Sequence, residues 1–399
     1  MAAYLSRIFQ DLEEVNLENY WPGFKSVAFA FYDSSRVYLF NHPKFKSNQQ
    51  NNFQTLKRDE QFNGCTLIMY EEYPTAIADL KLYGDYEGLY SILVHELFHG
   101  FQYLQGEKRF PNELKGISYP LLKENVELRS QERAMLYRAM LEKNSIKKKN
   151  YLNTFIALRE KRAANNNDYI LYEKLVETIE GPAWYIELKA YAEKSTLEYN
   201  AILKKYGQDL IDKYESTSDI RKSCFSSGLA MCLLLDDFLP DWKGSFWNKE
   251  ETLYDMLKQF SDNYGKIADV TISAETEEAI NLVRQNRKKQ IENFEQQAGI
   301  TLYIEGEITV KAFDPMNIVS FKDKLLHKNF IKVRMNNKDY FIQQPAIAYC
   351  NGGLLNITKL HLNLKDNPIE NSDSLTVDGI GVINGRYKKQ EGILHLYVN

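Results

Sequence analysis

The stretch Leu93-Val94-His95-Glu96-Leu97-Phe98-His99-Gly100-Phe101 decides how the rest of the chain is read. Residues four apart share a face of a helix, so the imidazoles of His95 and His99 project together. Two nitrogens at that spacing can hold one tetrahedral Zn²⁺. Glu96, next to the first, can then take a proton from a water on the metal. The flanking positions are apolar, as a buried helix crossing the floor of a cleft requires. The plainer alternative is a core helix with two hydrogen-bonded histidines and a surface glutamate. It is the weaker one, because a buried glutamate flanked by histidines is costly without a metal.

A chain of 399 residues exceeds one ordinary core and implies two or three domains. Its 44% hydrophobic and 26% charged residues suit a globular protein and argue against a disordered one. A net charge of −4 is too weak to argue for any charged partner, and no basic stripe marks a nucleic-acid surface. No run approaches the roughly eighteen apolar residues of a membrane span, so none is expected. The opening residues lack the pattern of a signal peptide. Cys65, Cys224, Cys232 and Cys350 are spaced for neither a disulfide framework nor a four-cysteine zinc site. Three of them stand in apolar surroundings and read as buried free thiols. Together these features imply a cytoplasmic protein.

The pattern predicts an α+β protein. Residues 1–84 form a small sheet with strands at 26–32, 36–40 and 65–70, and Asp33-Ser34-Ser35 is a hairpin signal. Residues 47–52 read as an exposed polar loop. Residues 85–298 are almost wholly helical, with the motif helix at about 86–105. Later helices are expected at 121–143, at 152–164 closed by Asn165-Asn166-Asn167-Asp168, and at 168–196. Gly181-Pro182 should bend or restart the last of these, because proline removes a backbone hydrogen bond. Further helices cover roughly 197–214, 217–239, 250–261 and 275–298. Residues 299–399 read as a separate all-β domain, split by Asn351-Gly352, Asp378-Gly379, Asn384-Gly385 and Glu391-Gly392. Its His327 and His361 have no ligand-like spacing and read as structural or exposed.

A catalytic zinc needs a third protein ligand and one open position. The chain continues past His99 as Gly100-Phe101-Gln102-Tyr103-Leu104, which argues against a third histidine. Two carboxylates stand out. Glu180 shares a helical face with Glu173, Glu177, Trp184 and Glu187, and by periodicity that acidic face reads as solvated. The Gly181-Pro182 interruption points the other way. Glu132 sits in the stripe Leu128, Glu132, Met135, Leu136, Ala139, where a carboxylate must be paired or bound to metal. On the residues alone Glu132 is slightly favoured.

With these residues assembled, the chain resembles the gluzincin branch of zinc metallopeptidases, whose pattern is His-Glu-x-x-His plus a glutamate on a later helix. Glu180-Gly181-Pro182-Ala183-Trp184-Tyr185 is similar to the Glu-Gly-x-Ala-x-Tyr segment that carries the third ligand in several such families. Ser227 to Asp236 is similar to a glycine-containing helix downstream of it. The resemblance covers roughly residues 20–260, looks like a bacterial gluzincin-like family, and implies Glu180 as the ligand. Glu132 would then be a buried residue behind the ligands or a contact for a substrate amine.

The implied activity is zinc-dependent peptide hydrolysis of a peptide or protein substrate, with Glu96 as general base and His95, His99 and Glu180 on the metal. Tyr185 and Tyr137 are the candidates for steadying the oxyanion. Two alternatives stand beside it: a zinc hydrolase of a non-peptide substrate, and a non-catalytic, zinc-stabilised binding protein.

Overall fold

The computed structural model describes residues 2–45, 52–247, 249–262, 265, 267, 269–351, 353–390 and 392–398. Its contacts divide the chain into two compact units, Met1–Pro111 with Glu127–Val270, and Asn112–Val126 with Thr271–Asn399. The architecture is α+β, with a small N-terminal sheet, a helical middle and a C-terminal all-β region.

In the first unit, helix α1 (Ala2–Glu14) precedes strands β1 (Ala28–Tyr32) and β2 (Arg36–Phe40). They form an antiparallel hairpin turned by Asp33, whose carboxylate accepts from the backbone N–H groups of Ser35 (2.8 Å) and Arg36 (2.9 Å). With β3 (Gln54–Lys57), β4 (Thr66–Tyr70) and β5 (Tyr73–Asp79) the sheet runs β3-β2-β1-β5-β4 among the described residues. The pair β1–β5 is parallel, with Ala30 opposite Ile77, and the other pairs are antiparallel. Every residue of β1 is buried, as a central strand covered on both faces must be. Helix α2 (Tyr86–Leu104) covers one face, with Val94, Leu97, Phe98 and Phe101 in one core with Phe29, Phe31, Ala76 and Ala78. Ala30, Tyr32, Val37, Leu39, Phe62 and Ile77 form the core on the other.

Eight further helices are α3 (Glu113–Ile117), α4 (Lys123–Leu141), α5 (Ser145–Lys194), α6 (Tyr199–Gly207), α7 (Lys213–Ser218), α8 (Ile220–Phe238), α9 (Leu253–Lys258) and α10 (Ala274–Glu295), counted among the described residues. Helix α5 breaks where the asparagine run predicts: Asn166 leaves helical dihedrals (φ −140°, ψ 37°), so the element is two helices joined across a kink, the first of them starting at Ser145 rather than at 152. Pro182 is carried inside the same element, with no restart. The glycine before it serves a crossing instead. A Cβ on Gly181 would lie 2.6 Å from the Cα of Gly228 in α8, so the two helices meet backbone to backbone.

The second unit is built on strand β6 (Ile300–Phe313), which pairs antiparallel with strands Asn356–Leu364 and Ile331–Met335 and parallel with Ile393–Tyr397. Leu302, Ile304, Val333, Leu360, Leu362 and Leu396 fill its core. The boundary set at 298 from the sequence falls differently in the structure. Helix α10 groups with the sheet, because Ile291 and Phe294 pack on Val319, Leu326 and Ile347, and residues 112–126 group there too. Residues 47–51 of the expected polar loop, and Gly352 and Glu391 of the expected turns, lie outside the described residues.

The four cysteines are free. Cys224 and Cys232 are buried and Cys65 and Cys350 only partly so, which corrects the expectation of three buried thiols. Among the described residues, no helix is long and apolar enough to cross a membrane.

Candidate metal centre

Helix α2 starts cleanly, its N-cap Asp85 accepting from the Gly88 N–H at 2.6 Å, and is buried over most of its length. The four-residue spacing then sets His95 and His99 one above the other, with Nε2 atoms 3.1 Å apart. Helix α5 brings Glu180 to the same point. Its Oε2 is 3.4 Å from His99 Nε2 and 3.8 Å from His95 Nε2. One ligand atom from each of the three residues falls within a span of 4.8 Å. Of the two carboxylates weighed from the sequence, Glu180 is the one at this cluster.

Behind each donor stands a second residue. His95 Nδ1 is 3.0 Å from Glu187 Oε2, close enough for a charge contact although the two are off line for a hydrogen bond. Glu187 also accepts from the Tyr206 hydroxyl at 3.2 Å. The Gln102 amide donates to the Ile179 carbonyl at 2.8 Å, which turns its Oε1 toward His99 Nδ1 at 2.6 Å. Both Nδ1 atoms thus face acceptors and favour the proton, leaving the Nε2 lone pairs to face each other. Two lone pairs at this separation repel unless a cation or a proton lies with them. A pair of imidazole nitrogens and one carboxylate oxygen, with such supports behind them, is a donor set that suits Zn²⁺.

The electrostatics agree. Burial alone would lower the His95 pKa, but its contacts with Glu180 and Glu187 and the charge of Glu96 outweigh burial and raise it to about 10. The surrounding carboxylates thus favour positive charge at this point. For Glu180, burial works upward, but the charges of His99 and Arg221 hold it well below the usual carboxylate range. Burial pushes Glu96 up, against the downward pull of the two histidines. A buried glutamate with a raised pKa beside a metal position is suited to accept and return a proton. Trp184 and Phe225 stand edge-on and tilted to His95, with ring centroids 6.0 and 6.4 Å away, and wall the site on that side.

Glu132 lies elsewhere. It accepts from Arg159 Nη2 (2.9 Å) and Arg162 Nη1 (2.6 Å), fully buried in an ionic cluster. Arg159 also binds Glu177 through two nitrogens (2.5 and 2.8 Å), and Arg129 and Arg162 both bind Glu173. The acidic face of α5 is therefore buried rather than solvated. Glu173, Glu177 and Cys224 also come within ligand distance of one another, but these arginines already neutralise the two carboxylates. The oxyanion candidates do not gather at the site. The Tyr185 hydroxyl donates to Asp236 at 2.6 Å, and Tyr137 packs beside the Gly207 turn.

Glu187, Gln102 and Arg221 were missed in the sequence. Gln102 carried a usable signal, being three residues past His99 and on its face. Arg221 carried none. No protein-family model, curated protein or solved structure matches the chain.

Proposed function

We propose that the chain is a zinc-dependent peptidase in which His95, His99 and Glu180 hold the metal and Glu96 is the general base. The observation that carries this reading is the convergence of both Nε2 atoms and Glu180 Oε2 on one point, with buried Glu96 on the same helix. Zn²⁺ bound there supplies Lewis acidity, lowering the pKa of a water toward neutrality and polarising a carbonyl. Glu96 takes the proton of the attacking water and returns it to the leaving amine. Glu187 and Gln102 hold the imidazoles in the tautomer that keeps Nε2 available. Trp184 and Phe225 exclude water from one side.

A peptide substrate is supported by strand β4, which ends the sheet among the described residues. Helix α2, which carries Glu96, packs against this strand. An extended chain pairing with such an edge would reach the site by main-chain hydrogen bonds. A cytoplasmic setting goes with four unpaired cysteines.

Digestion of a peptide library by the zinc-loaded chain tests this reading. Cleavage by the native chain, with zinc retained and cleavage lost in Glu96→Gln, is the expected result. Turnover of an ester panel with intact peptides would make it a hydrolase of another substrate. Zinc bound without turnover of either would leave a binding role.

A further inference from the structure

Helix α8 brings a cation to the centre. Arg221, in its first turn, donates from Nη2 to Glu180 Oε1 at 2.9 Å. The other oxygen of that carboxylate, Oε2, is the one turned to His95 and His99. This division of the two oxygens follows from the packing. Gly181, next to Glu180, lies against Gly228, and Arg221 stands two helical turns before Gly228 on the same side of α8. The Ser227 hydroxyl, donating to Glu177 Oε1 at 2.7 Å, also ties the two helices. Arg221 is mostly buried, its side chain 18% exposed, so its charge acts on Glu180 with little screening from water.

We propose that Arg221 is a positioning residue for the third metal ligand. By occupying Oε1 it leaves Oε2 alone to coordinate and holds Glu180 to one-oxygen binding, which preserves the open position that a catalytic zinc needs. A carboxylate without such a partner can turn both oxygens to the metal. This inference rests on the metal-site reading above, and its test separates the two.

Zinc affinity of the full chain is measured by chelator competition for the native protein, Arg221→Ala, Glu180→Ala and the double variant. The coordination number is read by X-ray absorption on the zinc-loaded samples. Loss of an outer partner of a ligand weakens metal affinity about 10–100-fold. Arg221→Ala is expected to show that loss together with an added oxygen neighbour at the metal. In the Glu180→Ala background the arginine substitution is expected to change nothing further, since its effect passes through Glu180. Arg221→Lys should recover part of the affinity, keeping the charge without the planar fork. Equal and additive losses in both backgrounds, or native affinity and coordination in Arg221→Ala, would overturn the proposal. If Arg221→Ala does not fold, Arg221→Gln takes its place in the same cycle with the same two outcomes. A native chain that binds no zinc would instead sink the metal-site reading itself.

Discussion

Gly181 and Gly228 meet with no side chain between them: a Cβ on Gly228 would lie 2.5 Å from the Cα of Gly181 and 2.6 Å from the Glu177 carbonyl oxygen. Both obstacles are backbone, so neither can swing aside. Gly228→Ala is therefore expected to force α5 and α8 apart, at about 3 kcal/mol of stability. Denaturant unfolding measures the loss, and zinc affinity should fall with it because Arg221 and Glu180 separate. A variant of native stability would show that the two helices part at this crossing without cost.

The arginine cluster makes the first unit sensitive to acid. Burial raises the Glu173 pKa, but Arg162, Arg129 and Arg159 outweigh burial and hold it far below its ordinary 4.5. A folded-state value below the unfolded one gives stability that is fully present above 4.5 and disappears as pH falls below it. Unfolding curves between pH 7 and 3 should show this decline. Arg159→Met, which strands Glu132 and Glu177 without a shared cation, should lower stability by about 3–5 kcal/mol at neutral pH.

Gln102 links the second histidine to the helix that carries Glu180, through His99 Nδ1 and the Ile179 carbonyl. Gln102→Leu keeps the volume and removes both bonds. Zinc affinity about 10–100-fold weaker is the expected result in a chelator titration. Unchanged affinity would mean that the His99 ring is fixed by packing alone.

In the second unit, His327 is buried with neither ring nitrogen hydrogen-bonded among the described residues, and burial lowers its pKa to about 4. The unfolded chain takes up a proton near the ordinary 6.5, the folded one only near 4. Stability is thus complete above 6.5 and lost downward toward 4, by roughly 3 kcal/mol. His327→Leu should flatten that pH dependence and be neutral or stabilising at pH 7. A slope unchanged in this variant would assign it to another group.

How far the sequence could be read depended on how local each feature is. The spacing of His95, Glu96 and His99 lies within one helix turn, so their shared face was legible. The choice between Glu180 and Glu132 was not, because it depends on which partners tertiary packing brings to each. Both carboxylates are buried; Glu180 meets two imidazoles and one guanidinium, Glu132 two guanidiniums and no imidazole. The three-residue spacing of Arg159 and Arg162 in the helix expected at 152–164 was the overlooked clue to the cation pair that Glu132 meets. The acidic face of α5 was misread as solvated because a face turned to arginines has the same periodicity as one turned to water. Gly181 read as an interruption, and only its meeting with Gly228, far along the chain, explains it.

The most direct measurement is diffraction from zinc-soaked crystals, recorded above and below the zinc absorption edge. The expected map has one peak bonded to His95, His99 and a single oxygen of Glu180, with a water in the remaining position. No peak at that point, or a zinc closed off by a fourth protein ligand, would contradict a catalytic metal centre.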